Sequence, residues 1–140
     1  MKTAYEYALA ELGVKEVSGK TNNPRIVEYH ATTTLQAVDD ETPWCAAFVN
    51  WCLYMAGKKG TGLASARSFL TWGQEILPDE IQEGDIIVMS RTSDPTKGHV
   101  GFFAGWTEDM LGYRLLGGNQ LNAVSIQVFG KDRILSIRRG

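Results

Sequence analysis

The sequence predicts an α+β domain in which helices come first and an antiparallel sheet of about five strands follows. In the first half, apolar residues recur with helical spacing, as in TAYEYALAEL (3–12). From Leu77 onward, short runs rich in Val, Ile and aromatic residues alternate with Gly and Asp, a pattern typical of strands. At 140 residues, the chain is expected to form one domain spanning 1–140.

The first two helices follow from this spacing and from their flanking residues. The first covers 3–12 and is closed by Gly13, a residue that commonly ends a helix. The second begins near Asn23 and Pro24 and runs through PRIVEYHAT. Neither segment carries a motif that by itself indicates a function.

The third helix is the most strongly marked, in the stretch TPWCAAFVNWCLYMAG (42–57). Thr42 is a strong N-cap type, Pro43 suits the first helical position, and Gly57 is typical of the residue just past a helix end. A short helix, SARSFLTWG, follows a polar linker and has Ser65 as its expected cap.

The second half of the chain is expected to be an antiparallel meander. The loop RTSDPTKG separates the first two predicted strands and suits such a connection. The predicted strands are 85–91, 98–106, 113–120, 123–130 and 134–139.

Composition and charge exclude several classes of protein. The chain has 44% hydrophobic and 21% charged residues, a net charge of −2 and no apolar run long enough for an integral membrane segment. It shows no basic face of the kind that binds nucleic acid. Its first residues carry Glu6, Glu11 and Glu16 and no apolar core of a signal peptide, so synthesis in the cytoplasm without a signal peptide is expected. A monomer is expected.

The chain offers few metal ligands, and no cofactor or metal is predicted. Cys45 and Cys52 lie seven residues apart on one helix, about 10 Å at 1.5 Å rise per residue, which is too far for a disulfide. With His30 and His99 as the only histidines, a structural zinc site would be short of ligands. The acidic triplet 39–41 suits a solvated loop before a helix N-terminus, and a calcium site there stays open as an alternative.

Cys45 is the candidate nucleophile. It falls in the first turn of the third helix, where unpaired backbone N–H groups and the helix dipole favour a thiolate over a thiol. A small buried hydrophobe is the alternative interpretation of a free cysteine in an apolar helix. Cys52, two turns further on, is expected to be such a core residue.

His99 is the candidate partner of Cys45, because it opens an apolar strand after a glycine, whereas His30 is expected to face solvent. A structural histidine at the edge of a buried sheet is the alternative interpretation of His99. A hairpin symmetric about Asp109 would place His99 opposite Asn119 on one face, with Gly101 and Gly117 leaving that face open to the Cys45 helix. The Asn119 oxygen could then hold the tautomer of His99. A turn residue is the alternative interpretation of Asn119.

The segments PWCAAFVNWC, GHVGFF and LLGGNQ, with ARSFLTWG and EGDIIV between them, resemble the CHAP and NlpC-type cysteine peptidases and amidases that hydrolyse peptidoglycan. The resemblance is greatest to a compact version found in bacteriophages and prophages. It implies a papain-like fold, with Cys45 as nucleophile, His99 as general base and Asn119 as the residue that orients His99. No clear series of calcium-binding aspartates precedes Cys45, so calcium dependence is not carried over.

The resemblance also implies the reaction: a Cys-His-Asn thiol mechanism that cleaves an amide or peptide bond of the murein stem peptide. Two further residues are assigned to the substrate site. Trp44 would wall the cleft, with a core position as the alternative. The Cys45 backbone N–H would bind the oxyanion, with a side chain of the upstream loop or Gln120 as the second donor.

The biological setting predicted from the resemblance is a phage endolysin or virion-associated lysin that reaches the cell wall after release or delivery. An interbacterial amidase toxin would use the same chemistry. A catalytically silent module that binds the cell wall or forms part of a virion is an alternative from another class, and an acyltransferase or transamidase would share the same residues.

Overall fold

The protein is described by a computed structural model that covers residues 2–17, 22–35, 43–91 and 97–140. Helices pack on one antiparallel sheet, so the predicted α+β class is confirmed. The α-helices are α1 (Ala4–Ala10), α2 (Pro24–His30) and α3 (Cys45–Met55). Within these ranges, three short 3₁₀ segments cover Ala66–Thr71, Pro78–Glu80 and Lys131–Arg133.

In the part of the chain that the structure describes, the sheet has six strands where about five were predicted. They are β1 (Gln74–Glu75), β2 (Ile86–Ser90), β3 (Gly98–Trp106), β4 (Gly112–Gln120), β5 (Ala123–Gly130) and β6 (Ile134–Arg139). Their order in the sheet is β1-β6-β2-β3-β4-β5, and all neighbours are antiparallel. The bounds of β3, β5 and β6 agree with the sequence prediction, and the two-residue β1 is the additional strand.

The first two helices begin where their caps predict. Thr3 caps α1 in a capping box, since its hydroxyl accepts from the Glu6 backbone and the Glu6 carboxylate accepts from the Thr3 backbone. Asn23 caps α2, since its Oδ1 accepts a hydrogen bond from the Arg25 backbone N–H, and Pro24 lies in the first helical position.

The start of α3 differs from the prediction. Trp44 occupies the N-cap position and makes no capping hydrogen bond, so the helix begins at Cys45. Thr42 lies outside the described residues. Ser65 precedes a 3₁₀ segment rather than an α-helix and also makes no capping hydrogen bond. Cys45 nevertheless lies in the first turn of α3, as predicted.

Two apolar clusters lie on opposite faces of the sheet. On one face, α1, α2 and α3 pack against side chains that include Val88, Val100 and Phe102. The other face carries a smaller cluster that includes Met89 and Leu115. The nine residues 45–53 of α3 are all buried, which is expected of a helix that is apolar on nearly every side.

His30 corrects one expectation from the sequence. It was expected to face solvent, but it is fully buried at the end of α2, where Ile26 and Tyr29 are also buried. The polar residues of EYHATTT suggest an exposed segment, but α2 ends at His30, and its last two residues are buried. Among the described residues, no helix has the length and apolar character needed to cross a membrane.

Candidate active site

The thiol of Cys45 lies at the junction between the start of α3 and strand β3. Cys45 is the first residue of α3 and is 6% exposed. The backbone N–H groups of Ala46 and Val100 stabilise its thiolate and so lower its pKa. One donor comes from the first turn of the helix, where backbone N–H groups lack intrahelical partners, and the other comes from the strand. The helix start therefore provides the environment for a thiolate that the sequence predicted.

Cys45 and His99 are coupled, and each shifts the pKa of the other. Burial by itself raises the pKa of the Cys45 thiol, but the hydrogen bond and the charge of His99, together with the two backbone donors, lower this pKa below its ordinary value. Burial lowers the pKa of His99, but its interactions with Cys45 and Gln120 outweigh burial and raise it. Both shifts favour a thiolate paired with an imidazolium.

Gln120 holds the other side of the His99 ring. The His99 Nε2 and Gln120 Oε1 atoms are 2.8 Å apart. The Gln120 Nε2 amide donates to the backbone oxygens of Leu115, at 3.1 Å, and Ser125, at 2.8 Å. These two oxygens can only accept, so they fix the orientation of the amide and leave Oε1 as the acceptor toward His99. His99 must therefore carry a proton on Nε2, and its Nδ1 is left for the thiol.

The partner of His99 corrects the assignment of Asn119. The predicted register is present in the middle of the hairpin, where Phe102 pairs with Leu116 and Phe103 with Leu115. Beyond Gly117, however, the pairing of β4 with β5 shifts, and Asn119 has a φ of 60°. A residue inserted at such a bulge changes which side chains face each side of a strand. Gln120 therefore reaches the position opposite His99, and Asn119 makes no hydrogen bond to it.

The glycine that admits the helix also differs from the prediction. Gly101 and Gly117 were expected to leave room for the start of α3. A Cβ on Gly118 would lie 2.7 Å from the Trp44 ring and 2.8 Å from the Phe48 Cβ, so this glycine is the one that lets α3 approach β4. Added Cβ atoms on Gly101 and Gly117 would instead meet neighbouring atoms of the sheet and the Gln120 side chain.

Trp44 belongs to the core and does not wall a cleft. Its side chain is fully buried, its Nε1 donates to the Glu16 carboxylate at 2.8 Å, and its ring lies against Tyr29 with centroids 5.8 Å apart. Gln120 is likewise not an oxyanion donor, because its Nε2 already donates to two backbone oxygens. The Cys45 backbone N–H, at the first helical position, stays the predicted oxyanion donor.

Cys52 lies in the core, as predicted. It is fully buried, and burial, followed by the nearby Glu11 charge, raises its pKa well above the ordinary thiol value. Both cysteines are free thiols. The opposite pKa shifts favour a thiolate at Cys45 and a neutral thiol at Cys52, although the two residues lie on the same helix.

No group of three or more His, Cys, Asp or Glu side chains among the described residues is arranged to hold a metal ion. The acidic triplet 39–41, where calcium was the alternative interpretation, lies outside the described residues.

A pocket of about 350 Å³ opens beside His99 on the face of the sheet that carries Met89 and Phe129. Asn119 and Gln120 line it, as do two residues that the sequence analysis did not single out, Arg91 and Arg133. The two arginines are far apart in sequence, because Arg91 directly follows β2 and Arg133 directly precedes β6. No local motif in the sequence links them.

A cysteine at a helix start, paired with a histidine on an antiparallel sheet, is the arrangement of papain-like thiol peptidases and amidases. The model of the CHAP domain matches residues 37–119, more than half of the chain, and the protein belongs to this family of cysteine peptidases and amidases. No curated protein matches the chain at a significant level.

Solved structures of the NlpC/P60 group share the fold. NlpC1 from Trichomonas vaginalis has 18% identity and a TM-score of 0.58 over 97% of this chain and 42% of its own. A lipoprotein-like NLP/P60 family protein from Staphylococcus aureus has 19% identity and a TM-score of 0.56, over 98% of this chain and 40% of its own. This chain thus spans about two fifths of each protein. The P60 domain of an antigen from M. avium paratuberculosis has 15% identity and a TM-score of 0.56, over 98% of this chain and 96% of its own. The predicted papain-like fold is confirmed.

Proposed function

We propose that the protein is a peptidoglycan hydrolase that cleaves an amide or peptide bond of the murein stem peptide through Cys45 and His99. The observation that carries the proposal is the buried set in which His99 is coupled to the Cys45 thiol and is hydrogen-bonded to Gln120. Membership of the CHAP family supports a cysteine peptidase or amidase. Structural similarity to the P60 domain supports the fold that such chemistry requires.

The proposed reaction begins when the Cys45 thiolate attacks the carbonyl carbon of the scissile bond. The oxyanion that forms accepts a hydrogen bond from the Cys45 backbone N–H. The His99 imidazolium then gives its Nδ1 proton to the leaving amine, and the C–N bond breaks to leave a thioester. Neutral His99 next takes a proton from water, the hydroxide adds to the thioester, and collapse of the adduct releases the acid and restores the thiolate.

Gln120 acts as a positioning residue in this proposal. Its Oε1 accepts from His99 Nε2 throughout the cycle, so the ring keeps Nδ1 directed at the thiol whether the histidine is neutral or charged. The role that the sequence analysis gave to Asn119 is thereby transferred to the next residue. A Cys-His-Gln set replaces the predicted Cys-His-Asn set.

The biological setting that we propose is a bacteriolytic lysin of a phage or virion, which acts as a monomer on the cell wall after release or delivery. Resemblance to compact phage enzymes of this family supports this setting. An immunity gene beside the coding sequence would instead indicate an interbacterial toxin with the same reaction.

The decisive experiment is digestion of purified murein sacculi with analysis of the products by mass spectrometry, which also identifies the bond that is cut. Wild-type protein should release new amino groups, and Cys45→Ala should release none. Cys52→Ala is the matched control and should retain substantial activity, because Cys52 lies in the core and has no thiolate character. Wild-type turnover by Cys45→Ala would contradict the mechanism. A folded wild-type protein that binds murein without cleaving it would indicate the non-catalytic module.

A further inference from the structure

The pocket beside His99 is cationic in a chain that is acidic overall. The chain has 16 acidic and 14 basic residues. The described residues that line this pocket nevertheless include two arginines, Arg91 and Arg133, and no carboxylate. The rest of the lining consists of the His99 ring, the amides of Asn119, Gln120 and Gln127, and apolar side chains. An unbalanced positive charge next to a reactive centre favours the binding of an anionic group.

Arg133 is held in place by backbone contacts that leave its charge unneutralised. Its Nε donates to the Ser90 oxygen at 3.0 Å, and its Nη2 donates to the oxygens of Ser90, at 2.7 Å, and Arg91, at 2.8 Å. Within the described chain, no carboxylate lies within ion-pair distance of Arg133, and its Nη1 has no acceptor. Arg139, in contrast, is neutralised by Asp85 at 2.7 Å. The Arg133 guanidinium is therefore pre-oriented and retains donors for a ligand.

Arg91 brings the second charge to the same pocket. Its side chain is exposed and makes no hydrogen bond to the described residues, and its charge acts on His99 in the direction that lowers the histidine pKa. A bound anion would offset this unfavourable interaction and so support the imidazolium. Guanidinium groups bind carboxylates and phosphates with two parallel hydrogen bonds, and the stem peptide of the proposed substrate offers carboxylates.

We propose that Arg91 and Arg133 form a carboxylate-recognition site that selects acidic stem peptides, in which a free carboxylate flanks the scissile bond. This inference rests on the proposed function and specifies its substrate class. Met89, Val128 and Phe129 supply the apolar wall against which the hydrocarbon part of such a residue packs. Peptides in which this carboxylate is replaced by a carboxamide have the same shape but lack the charge, and they are the disfavoured substrates.

The test compares two forms of one substrate. Soluble muropeptides are prepared from sacculi with a muramidase, and half of the sample is converted to carboxamides with carbodiimide and ammonia. Cleavage of both forms by the full-length protein is followed by liquid chromatography and mass spectrometry. Since a hydrogen bond to a charged group is stronger than one to a neutral group, kcat/KM should be about tenfold higher for the carboxylate form. This preference should weaken as salt is raised.

Arginine variants assign the preference to the pocket. Arg91→Gln and Arg133→Gln should each lower the carboxylate-to-carboxamide ratio of kcat/KM toward one. Lys131→Gln removes the same charge from the 3₁₀ segment that contains Arg133, but Lys131 lies over the Trp106 ring outside the pocket, so this variant should keep the wild-type ratio. If Arg133 only clamps the backbone of Ser90 and Arg91, its substitution would lower activity on both forms equally and leave the ratio unchanged.

The outcomes separate the two proposals. Cleavage of both forms at equal rates by the wild type, or an unchanged ratio in both arginine variants, would overturn carboxylate recognition and leave the hydrolase intact. Cleavage of neither form would overturn the hydrolase and the recognition site with it. Arg91→Gln breaks no hydrogen bond to the described residues, so it provides the result even if Arg133→Gln does not fold.

Discussion

Replacement of Gln120 by methionine tests the geometry of the active site directly. Methionine fills a similar volume but lacks the Oε1 acceptor of His99 and the Nε2 donor to the oxygens of Leu115 and Ser125. The buried His99 Nε2–H then has no acceptor. The charged ring loses more stabilisation than the neutral ring, because a hydrogen bond to a charged group is stronger. We expect the thiolate–imidazolium pair to become less favourable and the pKa of the Cys45 thiol to rise.

The size of this shift follows from the strengths of the hydrogen bonds. A hydrogen bond to a charged group contributes about 1.5–3 kcal/mol and a neutral one about 0.5–1.5 kcal/mol, so Gln120 favours the charged ring by about 1–1.5 kcal/mol. His99 is only 8% exposed, and Gln120 is 4% exposed, so water does not replace the lost bond well. At about 1.4 kcal/mol per pKa unit, the shift is about one unit, and the thiolate fraction below this pKa falls about tenfold.

The assay is the rate of alkylation by iodoacetamide across a range of pH, read as added mass on the intact protein. It reports the thiolate of Cys45 and requires no knowledge of the substrate. Cys52 is buried and has a raised pKa, so it should not react in the folded protein, and a Cys52→Ala background verifies this. The Gln120→Met profile should move toward higher pH by about one unit.

Asn119→Gly is the matched control, because glycine removes the side chain and still accepts the positive φ at this position. It should leave the alkylation profile close to that of the wild type. The reverse result, in which Asn119→Gly moves the profile and Gln120→Met does not, would refute the bulged register and restore the assignment predicted from the sequence.

Three further predictions concern other parts of the molecule. His99→Ala should lower kcat/KM by about 10²–10⁴. The pH profile of the wild-type kcat/KM should be bell-shaped, because it rises through the lowered Cys45 pKa and falls through the raised His99 pKa. A profile that stays flat across both pKa values would contradict the ion pair. Exhaustive dialysis against a chelator should leave murein hydrolysis unchanged, whereas loss that calcium alone restores would indicate ligands in 39–41. The backbone of Leu121 is strained, because this residue has a φ of 55° and its side chain is 82% exposed. Leu121→Asn should therefore stabilise the fold by about 1 kcal/mol, or about 4 °C in Tm. Leu111→Asn is the control and should not stabilise the fold, because Leu111 is exposed but has no positive φ.

The placement of Cys45 and His99 could be predicted because each rests on a local signal. An apolar run that begins shortly after a proline and ends before Gly57 gives a buried helix with its cysteine in the first turn. A glycine followed by a histidine and a run of apolar residues gives the start of a strand, and β3 begins at Gly98. The predicted places of Cys45 and His99 stay correct even when an element boundary is wrong by one or two residues, as at the later start of α3.

The environments of Trp44 and His30 could not be read in this way, because burial at an element end depends on what packs there. Trp44 adjoins the nucleophile in sequence, yet its indole points into the core toward Tyr29 and Glu16. His30 ends a mixed polar segment, yet it is fully buried. Neighbours in sequence share a location but not a side-chain direction.

The partner of His99 is Gln120 and not the predicted Asn119, which shows how strongly the assignment of a catalytic residue depends on strand register. Alternation along β4 is regular up to Gly117, and every residue beyond the bulge changes face. The segment GGNQLNA does contain the signal for this irregularity, because asparagine tolerates positive φ, and both Asn119 and Asn122 adopt it. A two-residue turn at Leu121 and Asn122 requires Gln120 to pair with Ala123, as observed. That pairing puts the Gln120 amide within reach of His99, so the turn at the tip of this hairpin determines which side chain holds the histidine.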